Sequence, residues 1–252
     1  MRRKIVAGNW KMNKEVIEAQ QLMFQILEYK KNHPTNCEVW IAPPSLYLMM
    51  AKDLYEQDEV GVFSQDMSEH ESGAYTGEIS ASMLESIDAT GAIIGHSERR
   101  QYHGETDSHC NRKVKLALDK GLIPIYCNGE TLEQRKSGQH LEVVKNQTEV
   151  ALFTLSADEI KKVVIAYEPV WAIGTGETAT PEQAQEIHAH IRNLIANKYG
   201  KEVADEVSIL YGGSVKPDNA KEIFSQPDID GGLIGGAALK IDDFSKIIEG
   251  FN

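Results

Sequence analysis

Several features are scarce in this sequence, and each shortage excludes a class of protein. There are only three cysteines, Cys37, Cys110 and Cys127. Because their number is odd and their spacing wide, they match neither a disulfide framework nor a metal-binding motif, and a reducing compartment is expected. No apolar run approaches the roughly 18 residues of a transmembrane helix. Met1–Lys4 leads directly into a short apolar run and not into a signal-peptide core, so a cytoplasmic, membrane-free protein is predicted.

Positive charge is also in deficit. The chain has 26 Lys and Arg against 38 Asp and Glu, a formal net charge of −12. This balance argues against nucleic-acid binding, which requires a basic face. If the substrate is a phosphate, the whole molecule repels it, and the site itself must supply positive potential.

What the sequence does contain is a regular series of short apolar runs. Continuous apolar runs without alternation are typical of parallel strands that are buried on both faces. There are eight of them at roughly even intervals: Ile5–Ala7, Val39–Ala42, Val60–Phe63, Ala92–Ile94, Leu122–Cys127, Val163–Tyr167, Val207–Tyr211 and Gly231–Ile234.

Stretches with helical periodicity separate these runs. One stripe comprises Val16, Ala19, Met23, Ile26 and Leu27; a second comprises Ala184, Ile187, Ile191, Leu194, Ile195 and Lys198. The second stripe follows Thr180 as a predicted N-cap, with Pro181 at the first helical position and Gln183 as the capping-box partner. Shorter helices are predicted near 82–90 and 242–250.

Eight strand–helix units without a break in composition predict an α/β fold, a single (β/α)8 barrel over residues 1–252. The alternative is an open, doubly wound sheet, but no G-x-G-x-x-G follows the first strand. A barrel places its chemistry immediately after the strands, at their carboxyl ends.

Five of the segments that follow predicted strands have unusual composition. They are Asn9–Asn13, His96–Arg100, Tyr167–Gly176, Tyr211–Val215 and Gly232–Ala237. Taken singly, a lysine after a strand is usually solvated, a histidine is usually structural, and paired glycines make turns. Because all five fall on the one reactive rim of a barrel, together they indicate an active site.

These segments, with Tyr75–Ser80, resemble the triosephosphate isomerase family over essentially the full length. The resemblance implies interconversion of D-glyceraldehyde 3-phosphate and dihydroxyacetone phosphate in glycolysis and gluconeogenesis, with no cofactor and no metal. It also implies a homodimer in which loop 65–80 packs on a second subunit and brings Thr76 near the neighbouring site.

The resemblance assigns roles that fit the chemistry of the residues. Glu168 would be the base that moves a proton between adjacent carbons, and His96 a neutral electrophile facing the carbonyl oxygen, as is established for the family. Lys11 would supply fixed positive charge and Asn9 a neutral hydrogen bond. Glu98 would lie near Lys11 without touching the substrate.

The phosphate would be held mainly by main-chain N–H groups. Gly235 and Gly236 after strand eight, and Ser214 after strand seven, correspond to the usual barrel phosphate site. Gly174 lies in the loop after Glu168. That loop has a stiff start, an apolar middle and a glycine-rich end, which favour a lid over an ordinary surface loop.

Four positions depart from the family pattern. Asp66 stands in the dimer loop where Asn is usual, and its charge could weaken a symmetric contact. Asn128 replaces an apolar residue before Gly129 and could change how strand five ends. Glu177 replaces Lys at the far end of the lid, and Ala238 replaces Ser. None of these is a matched catalytic position.

Two other functions remain open at this stage. Another phosphate-binding barrel, such as a synthase or epimerase, would not need Lys11, His96 and Glu168 together. A catalytically silent relative used as a binding protein would be favoured by the loss of one of the three, and all three are present.

Overall fold

A computed structural model describes residues 1–55, 60–173 and 178–252. Eight parallel strands form a closed barrel in chain order, and the first strand pairs with the last. The strands are β1 (Ile5–Asn9), β2 (Glu38–Ala42), β3 (Gly61–Ser64), β4 (Gly91–Ile94), β5 (Ile123–Asn128), β6 (Val164–Tyr167), β7 (Ile209–Tyr211) and β8 (Gly231–Ile234). The predicted (β/α)8 barrel is confirmed, and each predicted strand overlaps an observed one.

Helices follow the strands and form the outer layer. The α-helices of the described chain are α1 (Val16–Asn32), α2 (Leu48–Leu54), α3 (Ala81–Ser86), α4 (Ser97–His103), α5 (Asp107–Asp119), α6 (Leu132–Lys136), α7 (His140–Leu152), α8 (Ala157–Ile160), α9 (Pro181–Tyr199), α10 (Lys201–Ala204), α11 (Ala220–Phe224) and α12 (Ile241–Ile248). Within residues 1–55, 60–173 and 178–252, no helix is both long and apolar enough to cross a bilayer.

The predicted helix signals correspond to observed contacts. In α9 the Thr180 side chain accepts from the Gln183 N–H (3.2 Å), while the Gln183 side chain accepts from the Thr180 N–H (2.9 Å), which completes the capping box. The core-facing stripe of α1 is correct for Ala19, Met23, Ile26 and Leu27. It is wrong for Val16, which is 54% exposed because it begins the helix at the rim of the barrel.

The barrel interior is packed with side chains and is separate from the layer between strands and helices. The interior cluster consists of Ile5, Ala7, Trp40, Ala42, Phe63, Ile93, Ile125, Cys127, Val164, Ala166, Leu210 and Leu233. The rings of Trp40 and Phe63 stack with centroids 4.5 Å apart. Since all the strands run in one direction, this solid core holds their carboxyl ends at one rim.

Candidate active site

A cavity of about 490 Å³ opens at the carboxyl-terminal rim of the barrel. The predicted catalytic and phosphate-binding residues that the structure describes all line it: Asn9, Lys11, His96, Glu168, Ser214, Gly235 and Gly236. They come from the ends of β1, β4, β6, β7 and β8. Gly174 and Glu177 lie outside the described residues.

Glu168 and His96 both line this cavity, and their side chains are in direct contact. One carboxylate oxygen of Glu168 lies 2.9 Å from Nε2 of His96, and the other accepts the Ser97 N–H at 2.8 Å. The Glu168 side chain is only 2% exposed. The residue follows β6 directly, and its own N–H donates to the Asn128 carbonyl of β5 at 2.7 Å. Both the main chain and the carboxylate of Glu168 are therefore fixed.

Hydrogen bonding defines which ring nitrogen of His96 carries the proton. His96 is the N-cap of α4, and its Nδ1 accepts the Glu98 N–H at 3.2 Å. A nitrogen that accepts needs a lone pair, so the ring proton belongs on Nε2, which faces Glu168. The histidine is thereby oriented as a donor into the cavity.

The two groups shift each other's pKa. Burial raises the pKa of Glu168, but the His96 ring, the Ser97 N–H and Lys11 together hold it below its ordinary value. Burial lowers the pKa of His96, and the Glu168 carboxylate opposes this and raises it overall while the two are in contact. A substrate that separates them removes this opposing effect.

Lys11 is held in an unusual main-chain conformation. Its φ is +52°, in the left-handed region that residues other than glycine seldom occupy. The Asn9 side chain accepts the Lys11 N–H at 3.0 Å, and the Gln65 side chain donates to the Lys11 carbonyl at 2.8 Å. The Lys11 ammonium bonds to Glu98 at 2.5 Å, as the resemblance implied. Nothing in the sequence pattern pointed to Gln65, which is brought here by the β3 rim.

Main-chain groups provide the remaining polar surface. Within the described ranges, the N–H groups of Ser214, Gly235 and Gly236 have no hydrogen-bond acceptor. A side chain on Gly236 would meet nothing within 4 Å, and one on Gly235 only the end of Lys11 at 3.7 Å. Unpartnered N–H groups on an uncrowded main chain form an anion-binding surface.

Asn128 ends β5 without forming the tight turn that the Asn-Gly pair suggested. Its side chain is buried and donates to the Thr148 hydroxyl of α7 at 3.0 Å. The Gln147 side chain accepts the Gly129 N–H (2.8 Å) and donates to the Gly129 carbonyl (3.1 Å). The end of β5 is therefore clamped to α7, and it supports the main chain of Glu168.

Glu130 is a buried carboxylate that sequence reasoning missed. One of its oxygens accepts from Trp171 Nε1 (2.9 Å), Tyr167 OH (3.0 Å) and Arg135 (3.2 Å). Burial raises the pKa of the Tyr167 hydroxyl, and the nearby Glu130 raises it further. These bonds fix the start of the segment after Glu168. Since this segment was noticed only for its apolar run, its polar partner Glu130, which lies just after β5, could not be found from sequence.

No residue of the predicted dimer loop 65–80 lines the cavity of its own chain, although Gln65 at its start bonds to Lys11. Thr76 is exposed and does not line that cavity. The Asp66 carboxylate bonds to Arg99 at 2.8 Å and to Lys113 at 2.7 Å within the chain. Lys113 also bonds to Glu105, whose other oxygen accepts the Gly95 N–H at 3.1 Å. The charge of Asp66, which the sequence presented only as a threat to the dimer contact, is thus paired with Arg99 and Lys113 of its own chain.

Comparison with known proteins is consistent with this geometry. The family model described as triosephosphate isomerase matches residues 4–251. Triosephosphate isomerase of Bacteroides fragilis is 55% identical over 252 residues, covering all of both chains. That of Porphyromonas gingivalis is 55% identical over 251 residues, with 100% coverage of both, and that of Flavobacterium johnsoniae is 52% identical over 248 residues, covering 98% of this chain and 99% of its own.

Proposed function

This chain belongs to the triosephosphate isomerase family, and on that basis we propose that Glu168 and His96 carry out its proton transfers. The enzyme interconverts D-glyceraldehyde 3-phosphate and dihydroxyacetone phosphate in glycolysis and gluconeogenesis. The observation that supports the residue assignment is the 2.9 Å approach of Glu168 to His96, beside the unpartnered N–H groups of Ser214, Gly235 and Gly236.

In the proposed first step, Glu168 removes a proton from the carbon next to the carbonyl. The electrons of the broken C–H bond form the C=C bond of an enediolate, and negative charge develops on the former carbonyl oxygen. The Nε2–H of His96 donates to that oxygen, and Lys11 stabilises the charge. The protonated Glu168 then returns the proton to the neighbouring carbon, while a proton moves between the two oxygens through His96.

Substrate binding has to separate His96 from Glu168, since each then faces the substrate. Without the Glu168 carboxylate beside it, burial, the Lys11 charge, the Glu98 N–H on Nδ1 and the N-terminus of α4 lower the pKa of His96, and the Glu98 carboxylate opposes them. A neutral imidazole donor follows from these contacts. The neutral state of His96 matters for proton transfer. The pKa for loss of the Nε2 proton from a neutral imidazole must lie near the pKa of the enediol hydroxyl if the proton is to move readily between them.

The phosphate is proposed to bind to the N–H groups of Ser214, Gly235 and Gly236. Gly174 is proposed as a further phosphate contact from the loop after Glu168. Neither the Lys11–Glu98 pair nor the glycines require a metal or a cofactor to complete the site, and none is part of this proposal.

Homodimer formation through loop 65–80 is proposed as well, with Thr76 reaching the neighbouring site. Exposed apolar side chains support it, among them Met12 (96% exposed), Tyr75 (44%), Met83 (57%) and Tyr102 (72%). A cytoplasmic location is supported by the three cysteines, which are all buried and unpaired.

The decisive experiment replaces the base without changing its shape. Glu168→Gln should lower kcat by a factor of about 10²–10⁴, because the amide cannot accept the substrate proton. It should also abolish exchange of the substrate's carbon-bound proton with deuterated solvent. Inhibition by inorganic phosphate should be unchanged, since the phosphate groups are intact.

The matched control is Glu28→Gln, the same change at an exposed residue of α1. It should behave as wild type. A Glu168→Gln enzyme that keeps more than about a tenth of the wild-type kcat would refute the assignment of the base.

A further inference from the structure

The predicted dimer loop 65–80 consists of a base and a projecting arm. At the base, the Ser68 N–H donates to the Ile79 carbonyl at 2.8 Å, so the chain returns to the point from which it left. Residues 69–78, the arm, lie between these two positions, and 71–78 are all exposed. An arm that is joined to the barrel at one place can pivot there unless another contact fixes it.

The base of the loop is fixed independently of the arm. The Gln65 side chain donates to the carbonyls of Lys11 and Ala42, at 2.8 and 2.9 Å. The Ser64 hydroxyl donates to the Asp66 carbonyl at 2.6 Å. Since these bonds do not involve the Asp66 carboxylate, the main chain at the base keeps its course whatever the charge of that side chain.

The interior of the arm is ordered. The rings of His70 and Tyr75 stack with centroids 3.8 Å apart and an angle of 6° between their planes. The Tyr75 N–H donates to the Gly73 carbonyl, and the Glu78 N–H donates to the Tyr75 carbonyl, both at 3.0 Å. The arm is therefore expected to move as one piece, and its position depends on its contacts with the rest of the chain.

A depression of about 380 Å³ lies between the arm and the helices of its own barrel. Tyr75 and Thr76 of the arm line one side of it, and His103 of α4 and Lys113 of α5 line the other. Because this space is open, packing against α4 and α5 contributes little to the position of the arm.

One ion pair connects the arm to α5. Arg112 donates through Nε and Nη2 to one carboxylate oxygen of Glu69, and the other oxygen lies 3.9 Å from Nε2 of His109. Burial raises the pKa of Glu69, but Arg112 and the two nearby histidines hold it below its ordinary value, so the carboxylate keeps its charge. Within the described ranges, no other polar contact joins residues 69–78 to a helix.

We propose that the Glu69–Arg112 pair, the arm anchor, holds the arm in the position in which it meets a second copy of this chain. This inference rests on the proposed homodimer and names the residues that control its affinity. If the pair is broken, the arm adopts other positions as well, and the fraction of chains ready to associate falls. Because both protomers contribute an arm, the dimer dissociation constant rises with the square of that loss.

The test compares the dimer dissociation constants of wild type, Glu69→Gln, Arg112→Gln and the double variant by sedimentation. A surface ion pair changes such an equilibrium by about threefold, so each single variant should raise the dissociation constant about tenfold at about 10 mM ionic strength. The double variant should show the same rise as each single variant, since either change alone breaks the pair. At about 1 M ionic strength the wild type should approach the variants, because the pair is then screened.

The matched control is Glu71→Gln. It makes the same change in the same arm, at an exposed residue that has no ion pair in the described part of the chain. Its dissociation constant should stay within about twofold of wild type. At protein concentrations well above the dissociation constant, every variant should have the kcat of wild type, because neither Glu69 nor Arg112 lines the active-site cavity.

If wild type is dimeric and both single variants dissociate as it does, the arm anchor is overturned and the homodimer stands. An equal rise in Glu71→Gln, or independent effects that multiply in the double variant, would also overturn the anchor. A wild-type chain that stays monomeric at every concentration would instead overturn the proposed homodimer and, with it, this inference.

Discussion

Gly129 lies so close to the main chain of Glu168 that a larger residue does not fit. A Cβ atom built on Gly129 would be 1.7 Å from the Glu168 carbonyl oxygen and 2.6 Å from its carbonyl carbon. Favourable contacts between such atoms require about 3.5 Å. Gly129→Ala therefore requires one of the two segments to move by roughly 1.5 Å.

Neither segment can move freely. The side chain of Gln147 binds both the N–H and the carbonyl of Gly129, at 2.8 and 3.1 Å. The N–H of Glu168 is held by the Asn128 carbonyl at 2.7 Å. Most of the displacement should consequently be transferred to the carboxylate of Glu168, which has to lie within about 3 Å of the carbon that it deprotonates.

A misplacement of about 1 Å lowers the rate by about 10²-fold. We therefore expect Gly129→Ala to lower kcat at least 100-fold in a coupled assay with D-glyceraldehyde 3-phosphate. Inhibition by inorganic phosphate should stay within about threefold of wild type, because Ser214, Gly235 and Gly236 come from other strands. Thermal unfolding and far-ultraviolet circular dichroism would establish that the variant is folded.

The control is Gly121→Ala. Gly121 has a φ of +71° with nothing near its Cβ position, so alanine introduces backbone strain there but displaces no catalytic group. It should lose stability and keep its kcat. A folded Gly129→Ala enzyme with kcat within about threefold of wild type would refute the reasoning, since the base would then tolerate the displacement.

Three further changes test other contacts. The variant Asp66→Asn should alter the dimer dissociation constant by less than about threefold in sedimentation experiments, because Arg99 and Lys113 already pair the charge of Asp66. A tenfold decrease of the dissociation constant would instead show that this charge opposes association. Asn128→Leu should leave the free energy of unfolding unchanged or raise it by up to about 1 kcal/mol, because the buried side-chain oxygen of Asn128 has no partner in the described structure. A decrease of more than about 1 kcal/mol in urea unfolding would contradict this. Burial lowers the pKa of His188 from 6.5 to about 3, so the unfolded chain takes up this proton first and stability is lost as pH falls from about 6.5 towards 3. Between pH 6.5 and 5, wild type should lose about 1.6 kcal/mol more of its free energy of unfolding than His188→Gln does, because the unfolded histidine is already half protonated at pH 6.5. Stability curves that stay parallel over this range would contradict the lowered pKa of His188.

The barrel could be predicted because its signals are local. Continuous apolar runs mark strands covered on both faces, and the capping box from Thr180 to Gln183 marks the start of α9. The placement of Glu168, His96 and Lys11 on one rim followed from the rule that parallel strands all end on the same side. What each residue does came from the family motifs, since side-chain chemistry alone leaves a histidine after a strand open to several roles.

The contacts that hold these residues could not be read from the sequence, because they join positions far apart in the chain. Gln65 fixes the strained Lys11 peptide, Gln147 clamps the end of β5, and Glu130 holds Trp171. Nor could the sequence show that Asp66 is paired, since its partners are on helices that begin some thirty or more residues later. Such partners are chosen by strand register and helix packing, which exist only once the barrel is closed.

The sequence by itself determined the fold, the rim on which the chemistry lies and, through its motifs, the base Glu168, because periodicity and residue type are properties of short segments. Only the tertiary structure decided how Glu168 faces His96 and which ring nitrogen of His96 carries the proton. These are distances between segments, and distances depend on the packing of the whole chain.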